Sequence, residues 1–273
     1  MSKDKFAAFC ELIAQLRHPV TGCPWDLKQN HETLAKYMIE EAYEAATVMK
    51  ENDPAKICDE LGDVLLQVVL NAQIAKDNKT FTIDDVIDSI HSKMYRRHPH
   101  VFGSDEDKQN REVPQILKRW EEIKHAENEH KADKPYMEQK GVHKVFPATT
   151  QAGKIGQAAR SIKFDWKTPD QVFDVLLCEI QELKDEWQKS HDKSSSAIHD
   201  ELGDVYFSLA QLCRHLDLEP ELVAMDGNHK FLKCFKKMED AAKKRGQNIT
   251  ALDQDVLEEL WKEAKAGHPQ GGL

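Results

Sequence analysis

Apolar residues at Phe6, Phe9, Ile13 and Leu16 recur at three- and four-residue steps and stop ahead of Pro19 and Gly22, which predicts an amphipathic helix near the start of the chain. A second helix is expected over 33–50, closed by Asn52-Asp53-Pro54. Over 54–76 the apolar positions run nearly all round the helix, so this third element should be central. Thr82-Ile83-Asp84-Asp85 has the form of an N-cap and opens a fourth helix that reaches position 97. Pro114 begins a polar helix that reaches about position 130. The same order then returns, with helices near 169–191, 197–217, 219–245 and 253–266. Positions 131–150 mix charge with Pro135, Gly141 and Pro147 and read as a linker or irregular connection. No run alternates in the manner of a strand, so the expected fold class is all-α.

The return of the pattern is an internal repeat. Asp59-Glu60-Leu61-Gly62-Asp63 recurs letter for letter as Asp200-Glu201-Leu202-Gly203-Asp204, 141 residues later. Trp25 and Trp166, Trp120 and Trp261, and Lys124 and Lys265 are separated by the same offset. Several markers at one spacing are better explained by two copies of one domain than by chance. The domains expected are 1–130 and 151–273, joined by 131–150, and 273 residues suffice for two cores.

The chemistry lies on the central helices. Helical periodicity sets Glu60, Asp63 and Gln67 on one line continued by Asn71, and Glu201, Asp204, Ser208 and Gln211 on another. The remaining faces are apolar, so each stripe should look into a packed bundle. Upstream of each phrase is another acidic pair with i,i+3 spacing, Glu41 with Glu44 and Glu179 with Glu182. Two such helices side by side would bring four carboxylates together. Close like charges raise one another's pKa, and a divalent cation relieves the repulsion. An all-oxygen donor set favours magnesium or manganese over zinc or copper, and magnesium keeps positions open for water and phosphate oxygens. A lone E-x-x-E is ordinarily a solvated helix face; this one is duplicated and its second half is embedded in apolar sequence.

Two other metal patterns fail. Glu122…His125 and Glu127…His130 have the E-x-x-H spacing of a di-iron bundle, but their segment has almost no apolar face beyond Ile123, so these histidines are expected in solvent. Arg96-Arg97-His98-Pro99-His100 would repel a cation through its arginines and fits a phosphate-facing helix end better.

Charge narrows the partners. With 38 basic against 48 acidic residues the net charge is −10, opposite to the bias expected for wrapping nucleic acid. Phosphates must therefore be met by local cations. Each acidic helix is followed by one carrying Lys93, Arg96 and Arg97, or Lys230, Lys233, Lys236 and Lys237. Most of these lysines fit a solvated cationic face; Lys93 and Lys230 stand out because they occupy comparable positions after their acidic phrases. The six cysteines form neither a C-x-x-C pair nor a zinc pattern. The opening residues lack the uninterrupted apolar core of a signal peptide, and no stretch approaches transmembrane length, so a cytoplasmic protein with reduced thiols and no membrane contact is expected.

Gly22-Cys23-Pro24-Trp25-Asp26, Glu40-Glu41-Ala42-Tyr43-Glu44, the repeated Glu-Leu-Gly-Asp, Arg96-Arg97-His98-Pro99-His100-Val101-Phe102 and Phe164-Asp165-Trp166 together resemble the tandem-repeat MazG family over nearly the whole chain. The resemblance implies the all-α nucleoside triphosphate pyrophosphohydrolase fold and a dimer in which helical bundles pair. It implies magnesium-dependent cleavage of a nucleoside triphosphate between the α- and β-phosphates, giving nucleoside monophosphate and pyrophosphate. The family's metal ligands fall on Glu179, Glu182, Glu201 and Asp204, and in the first copy on Glu41, Glu44, Glu60 and Asp63. Its phosphate-contacting lysine falls on Lys230 and its late tryptophan on Trp261, for which a core role is equally open. The family arginine four residues after the lysine is present as Arg97 after Lys93, but Cys234 takes its place in the second copy. A thiol has neither the charge nor the forked donors of a guanidinium, and Lys233 is the nearest substitute. In tandem members the second copy is usually hydrolytic. A non-hydrolytic nucleotide-binding module and a helical dimerisation scaffold are the competing readings; intact acidic quartets argue against the scaffold.

Overall fold

The computed structural model describes residues 5–109, 112–127, 134–191 and 195–266, and among them every regular element is helical. The chain divides into two compact units, Met1–Glu127 and Asn128–Leu273.

The first unit comprises α1 (Lys5–Leu16), α2 (Pro24–Lys28), α3 (His31–Glu51), α4 (Pro54–Asp77), α5 (Ile83–Arg97), α6 (Pro99–Phe102), α7 (Asp105–Gln109) and α8 (Val113–Glu127). Local chemistry sets the boundaries. Asn30 and Thr33 form a reciprocal capping box that opens α3. Asn52 closes it in the left-handed region at φ 55°, which asparagine tolerates. The Asp53 side chain accepts hydrogen bonds from the backbone of Ala55 and Lys56, and Pro54 occupies the first helical position. Thr82 and Asp85 make a second capping box at α5.

Ile13, Leu34, Val69, Leu70 and Ile74 form the core of this unit, with Phe6, Phe9, Leu16, Tyr37, Leu66 and Ile83 packed around them. The centrality expected of the third helix holds for the second half of α4, where all of its buried residues fall between Gln67 and Ala75. Its first half leaves Leu61 and Leu65 exposed. A further lock ties the segment just after α1 to the end of α4: Arg17 donates from Nε to Asp77 at 2.8 Å and from one terminal nitrogen to the carbonyls of both Asp26 and Gln29.

The second unit comprises α9 (Tyr136–Gln139), α10 (Ala148–Ser161), α11 (Pro169–Ser190), α12 (Ser196–His215), α13 (Pro220–Lys244), a 3-10 turn at Ile249–Ala251 and α14 (Gln254–Ala266). The described part of 131–150, read from sequence as a connection, folds with this unit. Val142 is buried, and the Tyr136 hydroxyl donates to the Ala158 carbonyl.

No apolar periodicity announced α10, because Ala, Gly and Thr dominate it. Small side chains are what its position demands. A Cβ at Gly156 would run into Gln211 Oε1 and Arg214 Nε. The close approach lets Gln211, fully buried, donate to the Ala152 carbonyl at 2.8 Å while accepting from Arg214 Nε at 2.9 Å. Arg214 also forms two parallel hydrogen bonds with Asp165, at 2.9 and 2.6 Å, and His215 Nε2 lies 3.0 Å from the same carboxylate. Met238, Ala242, Leu260 and Ala264 form a separate cluster between α13 and α14.

Burial alone would push the Asp165 carboxyl up, but the hydrogen bonds and charges of Arg214 and His215 outweigh it and hold the group at about 2. A carboxyl held below its unfolded value stabilises the fold when ionised, and that contribution is lost as pH falls through the folded value. Asp165→Asn should therefore cost roughly 2–3 kcal/mol at neutral pH. Urea unfolding should show this gap at pH 7 and show it closing as pH is lowered below the ordinary carboxylate range, toward about 2.

Candidate metal and phosphate site

Helix α3 packs along α4, and α11 along α12. The seam of the first pair brings carboxylate oxygens of Glu41, Glu44 and Glu60 within 4.8 Å of one another; the seam of the second does the same for Glu179, Glu182 and Glu201. The fourth acid of each predicted quartet stands just outside this cluster. Asp63 and Asp204 sit one turn beyond Glu60 and Glu201, close enough that their charges act on Glu41 and Glu179.

Repulsion is written into the titration of these groups. Glu41 is raised above the usual carboxylate value by burial first, then by Asp63 and Glu44. Glu60 is raised by burial, Glu44 and Asp63. Glu179 is raised by burial, Asp204 and Glu182, and Glu201 by burial, Glu182 and Asp204. Glu60 Oε2 is shielded from solvent with no hydrogen-bond partner. Gathered anionic oxygens, one of them orphaned, are the donor set that a hard divalent cation satisfies. The residues present therefore fit a metal ion.

Beyond the clusters, both polar stripes continue into the bundle as expected. Gln67, Ser208 and Gln211 are buried, and Asn71 bridges the Gln67 carbonyl and the His31 ring. Sequence reasoning passed over Cys178, whose thiol donates to Glu182 at 3.2 Å. Its i,i+4 spacing from Glu182 was the available signal.

The predicted basic and aromatic residues divide. Lys93 and Lys230 are half-buried on α5 and α13. Lys233 is exposed on a neighbouring face, whereas Cys234 is 2% exposed and lies on the buried face that continues to Met238. Trp261 packs at the edge of the α13–α14 cluster, its ring 5.0 Å from Phe231 and beneath the Lys265 ammonium. Arg97 is taken up by Glu127 of α8, donating to Oε2 from Nε at 3.0 Å and from a terminal nitrogen at 2.5 Å. Arg96 donates to Oε1 of the same glutamate at 2.7 Å. The helix end read as facing phosphate thus faces an internal carboxylate. The rest of that motif is structural as well: His98 donates from Nδ1 to the Met94 carbonyl and meets Trp120 edge-on, and Tyr95 stacks on Phe102. Glu122 of the E-x-x-H pattern pairs with Arg119; the His125 side chain and His130 lie outside the described residues.

Residues 29–102, which include the first acidic cluster, match the MazG nucleotide pyrophosphohydrolase domain. The nucleoside triphosphate pyrophosphohydrolase/pyrophosphatase MazG of Thermotoga maritima is 38% identical over 262 residues, 96% of each chain. The nucleoside triphosphate pyrophosphohydrolase of Escherichia coli K12 is 34% identical over 254 residues, 93% of this chain and 94% of that one. The uncharacterized protein YabN of Bacillus subtilis is 38% identical over 262 residues, which make up 52% of its own length. Helical units, duplicated carboxylate seams and near end-to-end alignment converge: the chain belongs to the MazG nucleoside triphosphate pyrophosphohydrolase family.

Proposed function

We propose that this protein hydrolyses nucleoside triphosphates to nucleoside monophosphate and pyrophosphate with magnesium, or manganese, held by Glu179, Glu182, Glu201 and Asp204 of the second unit. The observation that carries this reading is the convergence of Glu179, Glu182 and Glu201 within 4.8 Å on a helix seam, repeated in the first unit. Bound there, such an ion supplies charge neutralisation of the triphosphate and an acidified water. The protein's own groups do the rest. The glutamates fix the ion and accept a proton from the attacking water, and Lys230 balances the charge that grows on the departing pyrophosphate. Lys233 contributes a point charge to the same phosphates, and Trp261 offers a ring edge to the nucleoside. The quartet Glu41, Glu44, Glu60 and Asp63 holds a second ion, and Lys93 faces the phosphates of the first unit. Turnover is assigned to the second unit because Arg97 of the first is engaged by Glu127.

The setting is cytoplasmic and the partners are nucleotides rather than nucleic acid or membrane. No helix among the described residues is long and apolar enough to cross a membrane. A homodimer accounts for the apolar stripes left open beside both seams: Leu61 and Leu65 on α4, Phe173, Leu177 and Ile180 on α11, and Leu202, Tyr206 and Leu209 on α12. Sedimentation should give a dimer at micromolar concentration, and a stable monomer there would contradict the pairing.

Chelation should abolish NMP release. Glu201→Gln/Asp204→Asn should lower it by at least ~100-fold, and Glu60→Gln/Asp63→Asn far less. Ion-exchange separation of the products checks the cleaved bond, since NDP with phosphate would exclude the α–β position. The reverse ranking of the two double variants would move turnover to the first unit.

The same clusters tie metal to stability. Without divalent ions, Glu201→Gln should raise the thermal midpoint above that of the parent, because one repelling charge is gone. Magnesium at about 100 times its dissociation constant should raise the parent's midpoint by roughly 5–10 °C and the variant's much less.

A further inference from the structure

Glu127 stands at the end of α8, and both of its carboxylate oxygens are engaged by arginine. Oε1 takes Arg96 at 2.7 Å and Oε2 takes Arg97 at 3.0 and 2.5 Å. The Arg97 and Glu127 side chains are each 18% exposed, so the pair is largely sheltered from salt and water. The hydrogen bond from Arg97 is the first cause holding the Glu127 carboxyl below its ordinary value, and Arg96 adds to it. At neutral pH this glutamate is therefore an anion in a two-guanidinium fork, the geometry in which arginine also takes phosphate. The second unit has no such fork on α13, where the corresponding positions are Lys233, exposed, and Cys234, buried.

We propose that Arg96 and Arg97 form a polyphosphate-binding fork that Glu127 occupies as an internal competitor, so that a triphosphate must displace this carboxylate to bind the first unit. The fork requires no metal, since it is built of guanidinium donors on α5 and not of the carboxylates gathered between α3 and α4. An incoming polyphosphate brings several anionic oxygens where Glu127 brings two, but it must bind against a carboxylate already attached to the protein. Affinity in the first unit is lowered accordingly, and catalytic work falls to the unit that has no competitor on its cationic helix. That last step rests on the reading that Lys93 and Arg97 serve the triphosphate of the first unit.

The test uses the full chain with Glu201→Gln/Asp204→Asn, so that only the first unit can turn over. Isothermal titration with inorganic tripolyphosphate in chelator-containing buffer reads the fork without metal. Glu127→Gln should tighten binding at least tenfold, and adding Arg97→Ala should cancel the gain. Glu127→Asp, which retracts the charge by one methylene, should fall between parent and Glu127→Gln, and it keeps the test open if the neutral variant unfolds. Unchanged or weaker tripolyphosphate binding in both Glu127 variants overturns the proposal and leaves Glu127 a plain tie for α8. NMP release with magnesium and NTP is then compared. A gain in parallel with tripolyphosphate affinity supports both the fork and its service to the reaction. Tightened tripolyphosphate binding without faster NMP release supports the fork and overturns instead the reading that places Arg97 at the reacting phosphates.

Discussion

Like charges held close together along a helix seam set the terms for everything else in this molecule. Three glutamates of each unit are closer to one another than solvated carboxylates would choose to be, and burial compounds their repulsion. Such a seam stays closed only if the helices are held elsewhere. In the first unit this comes from the second half of α4, where Val69, Leu70 and Ile74 pack under α1 and α3. In the second it comes from the buried network of Gln211, Arg214 and Asp165 at the far end of α12. The acids occupy the first half of each central helix and the anchoring groups the second. Function and stability thus sit at opposite ends of one rod, and the unfavourable end stays available for a cation.

The two locks show how little of the ancestral detail the repeat has needed to keep. In the first unit the guanidinium sits just past α1 and the carboxylate on the central helix, as Arg17 with Asp77. In the second the polarity is exchanged, with Arg214 on the central helix and Asp165 in the loop before α11. At the repeat offset of 141, Arg17 falls on Ala158 and Asp77 on Leu218, so neither unit retains the other's pair. What persists is a sheltered charge pair tying the end of the central helix to a neighbouring segment. The seam acids, by contrast, are retained in kind: Glu60 and Asp63 return at that offset, and Glu41 and Glu44 return three positions earlier, as Glu179 and Glu182.

Helix order, the carboxylate stripes and the duplication were legible in the sequence because each rests on short-range periodicity or on identical words. The capping signals at Thr82 and Pro54 also read true, since an N-cap is a local hydrogen-bonding event. What escaped was long-range. Helix α10 has too few large apolar residues to show a period, and its small ones make sense only once Gln211 and Arg214 are seen across from Gly156. The Arg96-Arg97 pair looked free to meet phosphate because Glu127 is some 30 positions away in sequence. Cys234 read as a lost phosphate ligand, and its burial on the Met238 side of α13 shows the position given over to packing. Of each expected quartet, three acids meet within 4.8 Å and the fourth, Asp63 or Asp204, stands just outside, while the roles of Lys230 and Trp261 depend on a substrate that spacing alone does not place.

The spacing between the seam acids and the buried half of α4 carries a consequence for angle rather than for energy. Glu60 and Asp63 precede Val69 and Leu70 on one helix, and those two apolar residues fix how α4 sits against its neighbours. An α-helix turns about 100° per residue, so the count from acid to anchor is an angular setting. That count decides whether Glu60 points at Glu41 and Glu44 or past them. On α12 the count from Glu201 to the buried Gln211 does the same for the second seam. A single residue inserted between Glu60 and Val69 would leave every side chain in the protein present and the helix intact. The seam would nevertheless be out of phase, with its carboxylates swung into solvent or against the apolar stripe. The spacing between acid and anchor is therefore itself a functional element, as necessary as the acids it aims.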